Sequence, residues 1–179
     1  MGQYFIIVNV SKKQFIDVGR LGENNKFSGV GRGLHGIVLG RLLTSGGDWT
    51  KGFYRRYGNP NKDEFYLGVW AGDRIVIAGD YDKPNTNGIQ TSTSDDPTLN
   101  LYNKADLDPS YEDVTKKVIK WLANDEEMAK KLVERAKSEE MLLRVLSDLV
   151  FIENHRTMRI VLENMIGSDW TKLLKESKR

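Results

Sequence analysis

Residues 66–82 read Tyr-Leu-Gly-Val-Trp-Ala-Gly-Asp-Arg-Ile-Val-Ile-Ala-Gly-Asp-Tyr-Asp, and this stretch constrains the fold more than any other. Phe65, Leu67 and Val69 alternate with Tyr66, Gly68 and Trp70, a pattern that suits a pleated surface. Ile75, Val76 and Ile77 form a continuous apolar run, as in a strand covered on both faces. Between them, Ala71-Gly72-Asp73-Arg74 carries a turn signal, with Gly72 free to take positive φ. The stretch therefore predicts a hairpin: one strand to about Trp70, a tight turn, and a second strand to about Ala78. Asp73 and Arg74 fall at one end of that hairpin, and Asp80, Tyr81 and Asp82 near the other.

Charged and aromatic residues crowd these ends, so the candidate ligand-binding set is Trp70, Asp73, Arg74, Asp80, Tyr81 and Asp82, joined by Arg32 and His35. Each has a structural alternative. An aspartate at a turn caps backbone amides, and an arginine beside it forms a surface ion pair. Asp80 and Asp82 flank Tyr81 at a spacing of two, which on an extended chain turns both carboxylates to one side. Such a pair suits a hard cation, although a full site needs more oxygen ligands than two.

The 179-residue chain is long enough to bury a proper core, and its 39% hydrophobic and 29% charged residues are ordinary for a soluble globular protein. With no cysteine, thiolate catalysis and disulfides are excluded, and only two histidines, His35 and His155, are available for a metal. No cofactor is expected. No apolar run approaches the roughly 20 residues needed to span a bilayer. The opening Met-Gly-Gln-Tyr-Phe lacks the basic region and long apolar core of a secretory signal, so the expected location is the cytoplasm.

Charge is unevenly spread. Residues 1–62 hold ten Lys or Arg against three acids, a net of +7, whereas residues 63–108 hold three against nine, a net of −6. Such asymmetry marks either a charged face for a partner or two segments that pack together.

Residues 3–10 predict a strand too apolar for an exposed edge, and residues 14–18 a returning one. Leu34, Ile37, Val38, Arg41 and Leu42 recur at helical spacing, predicting a helix over about 34–44. Gly31-Arg32-Gly33-Leu34-His35-Gly36 matches the G-x-G-x-x-G spacing, but no apolar strand runs into it, and no acidic residue follows at the required distance. It reads as a glycine loop, with an anion grip by Arg32 as the looser alternative. The segment 49–57 interleaves aromatics with Lys51, Arg55, Arg56 and Tyr57, a composition able to stack bases and hold phosphates and equally able to anchor a loop. Asn87-Gly88 is a hairpin-turn signal, and Leu99 to Ala105 reads as a short strand or a turn of helix.

From Tyr111 onward the pattern is helical throughout, with a capping box at Asn124 and Glu127, a cap at Ser138 and a break near His155. His155 reads as a linker residue. The expected architecture is α+β: a mostly antiparallel sheet with one covering helix over residues 1–108, and a helical bundle over 109–179 packed on it. The C-terminal helices also offer a surface for a homo-oligomer.

The opening Met-Gly-Gln-Tyr-Phe-Ile-Ile-Val-Asn-Val-Ser-Lys-Lys, the Trp70-Ala-Gly-Asp-Arg-Ile element and the Gly79-Asp-Tyr that follows resemble a scattered family of uncharacterised proteins. These open MGQY and carry WAGDR-I-x-x-x-GDY. Asn100-Leu-Tyr and Tyr111-Glu-Asp-Val fit the same pattern, so the resemblance spans roughly the first two thirds of the chain. It implies no activity. Three functions follow as expectations: a binding module for a protein or small ligand, a nucleic-acid-binding protein using segment 49–57, and a metal-dependent hydrolase or transferase using Asp73, Asp80 and Asp82.

Overall fold

The computed structural model describes residues 3–21, 26, 33–44, 65, 67–84, 99–137, 140–151 and 154–167. The chain divides into two compact units. The first comprises residues 1–19, 23–46 and 67–115, and the second residues 20–22, 47–66 and 116–179.

In the first unit, β1 (Phe5–Asn9), β2 (Gln14–Asp17), β3 (Ile75–Gly79) and β4 (Glu112–Asp113) form one sheet in the order β3-β1-β2-β4. The most apolar strand, β1, is interior to it, as its composition predicts. β1 runs antiparallel to both β2 and β3, and β4 lies parallel to β2. The fold is thus α+β with a mixed sheet. The parallel pair follows from connectivity: β4 returns to β2 after nearly a hundred residues of intervening chain, and only a long crossover can bring a strand back parallel.

Register separates two apolar faces. Ile7 lies opposite both Ile16 and Ile77 on one face, and Ile6 opposite Ala78 and Val8 opposite Phe15 on the other. The Ile6 face is covered by α2 (Leu101–Leu107), which buries Leu101 and Ala105 against Ile6, Val8, Phe15 and Ala78. A helix over Leu101–Leu107 resolves the strand-or-helix ambiguity of that segment. Its cap is Asn100, whose side chain accepts from the Asn103 amide. The helix predicted over 34–44 forms as α1 (Gly33–Leu43) and buries Leu34, His35, Val38 and Leu42.

The predicted hairpin does not form. Residues 67–72 are turns, and β3 pairs with β1 instead. The reason is a competing set of acceptors. The last carbonyls of a helix lack partners within it, and here the Gly68 and Trp70 amides donate to the carbonyls of Arg41 (2.8 Å) and Leu42 (2.9 Å) at the end of α1. Gly68 takes φ +79° to do so, and a Cβ there would stand 2.4 Å from the Thr44 carbonyl oxygen. The pattern at 67–70 therefore reflects a helix-sealing loop and not a pleat.

The second unit contains α3, which begins at the unit boundary (Thr115–Ala123), α4 (Glu126–Ala136), α5 (Glu140–Phe151) and α6 (Arg156–Ile166). Here α4 packs against α5 and α6, and α5 against α6. Leu132, Leu142, Leu146, Leu149 and Met158 are among its fully buried side chains. Two details differ from the sequence pattern. The chain from Tyr111 enters the sheet as β4 before turning helical. The cap of α4 is Asp125, not Asn124: its carboxylate accepts from the Glu127 (3.0 Å) and Met128 (3.2 Å) amides. Asn124 instead meets His155, which is the cap of α6. The predicted turn at Asn87-Gly88 and the cap at Ser138 lie outside the described residues, as do Arg32 and the basic segment Lys51, Arg55, Arg56 and Tyr57. No helix among the described residues is long and apolar enough to cross a membrane.

Candidate functional site

The five residues of β3 hold the two charged clusters apart. At one end, Asp73 is tied into the β1–β2 turn. Its carboxylate accepts from Asn9 Nδ2 at 2.8 Å and from Lys12 Nζ at 2.7 Å, and Lys12 Nζ also donates to the Val69 carbonyl. Asn9, wholly buried, turns its Oδ1 back to accept from the Lys12 amide. Desolvation is the strongest influence on Asp73 and pushes its pKa up. The hydrogen bonds from Lys12 and Asn9, with the charge of Lys12, outweigh it and hold the carboxyl below its ordinary value. Arg74 is fixed by its backbone: its amide donates to Ser11 Oγ, and its carbonyl accepts from the Val10 amide. Trp70 is fully buried, and its indole N–H donates to Gln14 Oε1 at 3.0 Å.

At the other end, the chain from Gly79 to Asp82 closes a turn in which the Asp82 amide donates to the Gly79 carbonyl. The extended arrangement expected for Asp80 and Asp82 is therefore replaced by a bend that sends their carboxylates to different partners. Asp80 Oδ1 accepts from the Tyr4 amide at 2.9 Å. Asp82 Oδ1 accepts from Gln3 Nε2 (2.9 Å) and Oδ2 from the Gly79 amide (2.8 Å). Asn100 Nδ2 donates to the carbonyls of both Asp80 and Asp82 at 2.9 Å. Gly79 allows a close approach: a Cβ there would lie 2.0 Å from Gln3 Nε2 and 2.9 Å from the Phe5 ring, so these side chains would have to shift.

On this bolted turn, Tyr81 is 64% exposed, and Tyr4, 51% exposed, pairs with neighbouring Asp80 through the backbone. Extending the β1–β3 register by one pair sets Tyr4 and Asp80 on the Ile6–Ala78 face, which is the face that α2 covers. Tyr102 of α2 stands near them. Burial first, then the surrounding charges of Asp17, Asp80 and Asp106 and the nearby Tyr4, push its phenol above the ordinary tyrosine value. Tyrosines and carboxylates thus converge at the Tyr4 end of the sheet.

His35 lies elsewhere: it is buried, with its Nε2 3.0 Å from the Val18 carbonyl, so the imidazole N–H donates into the fold. The sequence pattern singled out Asp80, Tyr81 and Asp82 but passed over Tyr4, Tyr102 and Asp106. The one available signal was the four-residue spacing of Tyr102 and Asp106, which shares a helix face.

β3 alone puts four residue steps, about 13 Å at strand rise, between the Asp73 end and the Asp80–Asp82 end, so the three aspartates of the metal reading do not converge. Among the described residues, no group of three or more His, Asp or Glu side chains is arranged to hold a metal ion.

No protein-family model matches the chain, and no curated protein or solved structure matches it.

Proposed function

We propose that this protein is a binding module whose recognition surface is the tyrosine–carboxylate end of the sheet: Tyr4, Asp80, Tyr81, Tyr102 and Asp106. The observation that supports it best is Tyr81, a large aromatic side chain held in solvent on a turn that five side-chain hydrogen bonds fasten. Exposed aromatics on rigid backbone lose little entropy on binding and dominate interface energies. Carboxylates beside aromatic rings favour a cation, through charge and through the ring faces. The net charge of −6 over residues 63–108 favours the same sign of partner. The ligand class is therefore an Arg- or Lys-bearing segment of a protein.

The test is fluorescence anisotropy with a labelled Arg-rich peptide and a Glu-rich control of equal length. Binding should favour the basic peptide, weaken with added salt, and fall by roughly tenfold or more in Tyr81→Ala, the loss expected of an interface hot spot. Equal affinity for the two peptides, or full binding by Tyr81→Ala, rejects the reading.

Metal-dependent chemistry by Asp73, Asp80 and Asp82 is less well supported, since β3 separates the first from the others, and both oxygens of Asp82 already accept hydrogen bonds. Nucleic-acid binding by Lys51, Arg55, Arg56 and Tyr57 rests on composition and on the +7 charge of residues 1–62.

A further inference from the structure

Among the described helix caps, that of α6 is chemically unusual. Ser, Thr, Asp and Asn are the ordinary cap residues, and Asn100 and Asp125 follow that rule. His155 does not. Its Nδ1 accepts from the Met158 amide at 3.3 Å, while its Nε2 lies 3.0 Å from Asn124 Oδ1. A backbone N–H can only donate, so Nδ1 must carry its lone pair. Nε2 then holds the proton and donates to Asn124. The two partners together admit one state of the ring, the neutral Nε2–H tautomer.

We infer that His155 is an acid-sensitive latch on the start of α6. Proton binding at Nδ1 turns the acceptor at this cap into a donor that faces the Met158 N–H. The new positive charge also sits at a helix N-terminus, where the dipole disfavours a cation. The cap is therefore present while Nδ1 is bare and is lost when Nδ1 takes up a proton, as an imidazole does on mild acidification.

Among the described residues, carboxylates on neighbouring elements pair with lysines. On α4, Glu126 pairs with Lys130 and Glu127 with Lys131, and Asp148 of α5 pairs with Lys116 of α3. Asp125, next to Asn124 in the chain, spends its Oδ1 on the α4 cap. Arg156 and Arg159, both exposed on the first turn of α6, add positive charge and oppose a second cation there. The His155 amide donates to the Leu149 carbonyl, so an opened cap also loosens the junction between α5 and α6.

The experiment is amide hydrogen exchange at Met158 by NMR in the full-length protein, corrected for intrinsic exchange rates, across pH 8 to 5. His155→Asn serves as the control, because asparagine caps helices well and does not titrate. In the native protein, opening at Met158 should rise roughly fivefold on acidification, the size of one lost cap, and His155→Asn should hold constant. The ring itself is checked by its nitrogen shifts, which should report a protonated Nε2 and a bare Nδ1 at neutral pH. A protonated Nδ1 at neutral pH, or the same pH dependence in both proteins, overturns the inference.

Discussion

Asn100 donates its side-chain amide to the main-chain carbonyl of Asp82 at 2.9 Å, and through its Oδ1 it also starts α2. One buried residue therefore joins the turn that presents Tyr81 to the helix that covers the sheet. Asn100→Ala removes the cap and leaves the carbonyls of Asp80 and Asp82 without that donor. Loss of about 2–3 kcal/mol is expected, about 1 from the cap and the rest from the stranded carbonyls. Urea denaturation checks it as a lower midpoint at an unchanged slope.

Gly68 and Gly72 both take positive φ, near +80°, but differ in surroundings: a Cβ at Gly68 strikes the Thr44 carbonyl oxygen, and one at Gly72 meets nothing within 4 Å. Gly72→Ala should cost about 1 kcal/mol, the price of the left-handed conformation alone. Gly68→Ala should cost distinctly more and shift signals at the end of α1. Thermal melts of the two variants, side by side, separate conformational strain from collision. Equal costs would mean that the loop moves freely off the helix end.

Asp73 has its carboxyl held below the ordinary value, so its ionised form is bonded in the folded protein. Its contribution is full above the unfolded aspartate pKa, about 3.9, and is lost as the pH falls through the lower, folded value. Native protein should therefore outdo Asp73→Ala clearly at pH 6, and the gap should narrow in strong acid. At neutral pH the substitution also strands buried Asn9 Nδ2, a loss of about 1–3 kcal/mol. Denaturation midpoints of both proteins measured against pH give the answer.

Tyr102 and Tyr111 both have phenols raised by burial, with nearby carboxylates adding to the effect. The folded state thus favours the protonated ring. Stability from this source is intact below the unfolded tyrosine pKa, about 10, and is lost as the pH rises through the higher, folded values. Ultraviolet titration should show Tyr102 and Tyr111 ionising late, and Tyr102→Phe should remove one late step.

Tyr81→Ala should leave stability within about 0.5 kcal/mol, as for other exposed sites, so that any loss of peptide binding is a loss of contact. The competing nucleic-acid reading is tested by Arg55→Ala combined with Arg56→Ala. Retention on DNA or RNA at low salt should be unchanged if the basic segment has no such role, and should fall, with a shallower salt dependence, if it does.

What the sequence determined by itself is local. Apolar density put β1 inside the sheet, helical spacing marked Gly33–Leu43 and the C-terminal helices, and glycine with aspartate marked both ends of β3. Periodicity reports which side of an element is dry, and that much survives without a partner. Only the tertiary structure decided the rest. The strand pattern at 67–70 was overridden because the carbonyls ending α1 needed donors. Asp80 and Asp82 parted because Gln3 and Tyr4, nearly eighty residues earlier, supplied theirs. Tyr102 came under the charge of Asp80 only because α2 lies on that face. Hydrogen-bond partners are chosen by proximity in space, which the order of residues along the chain does not contain.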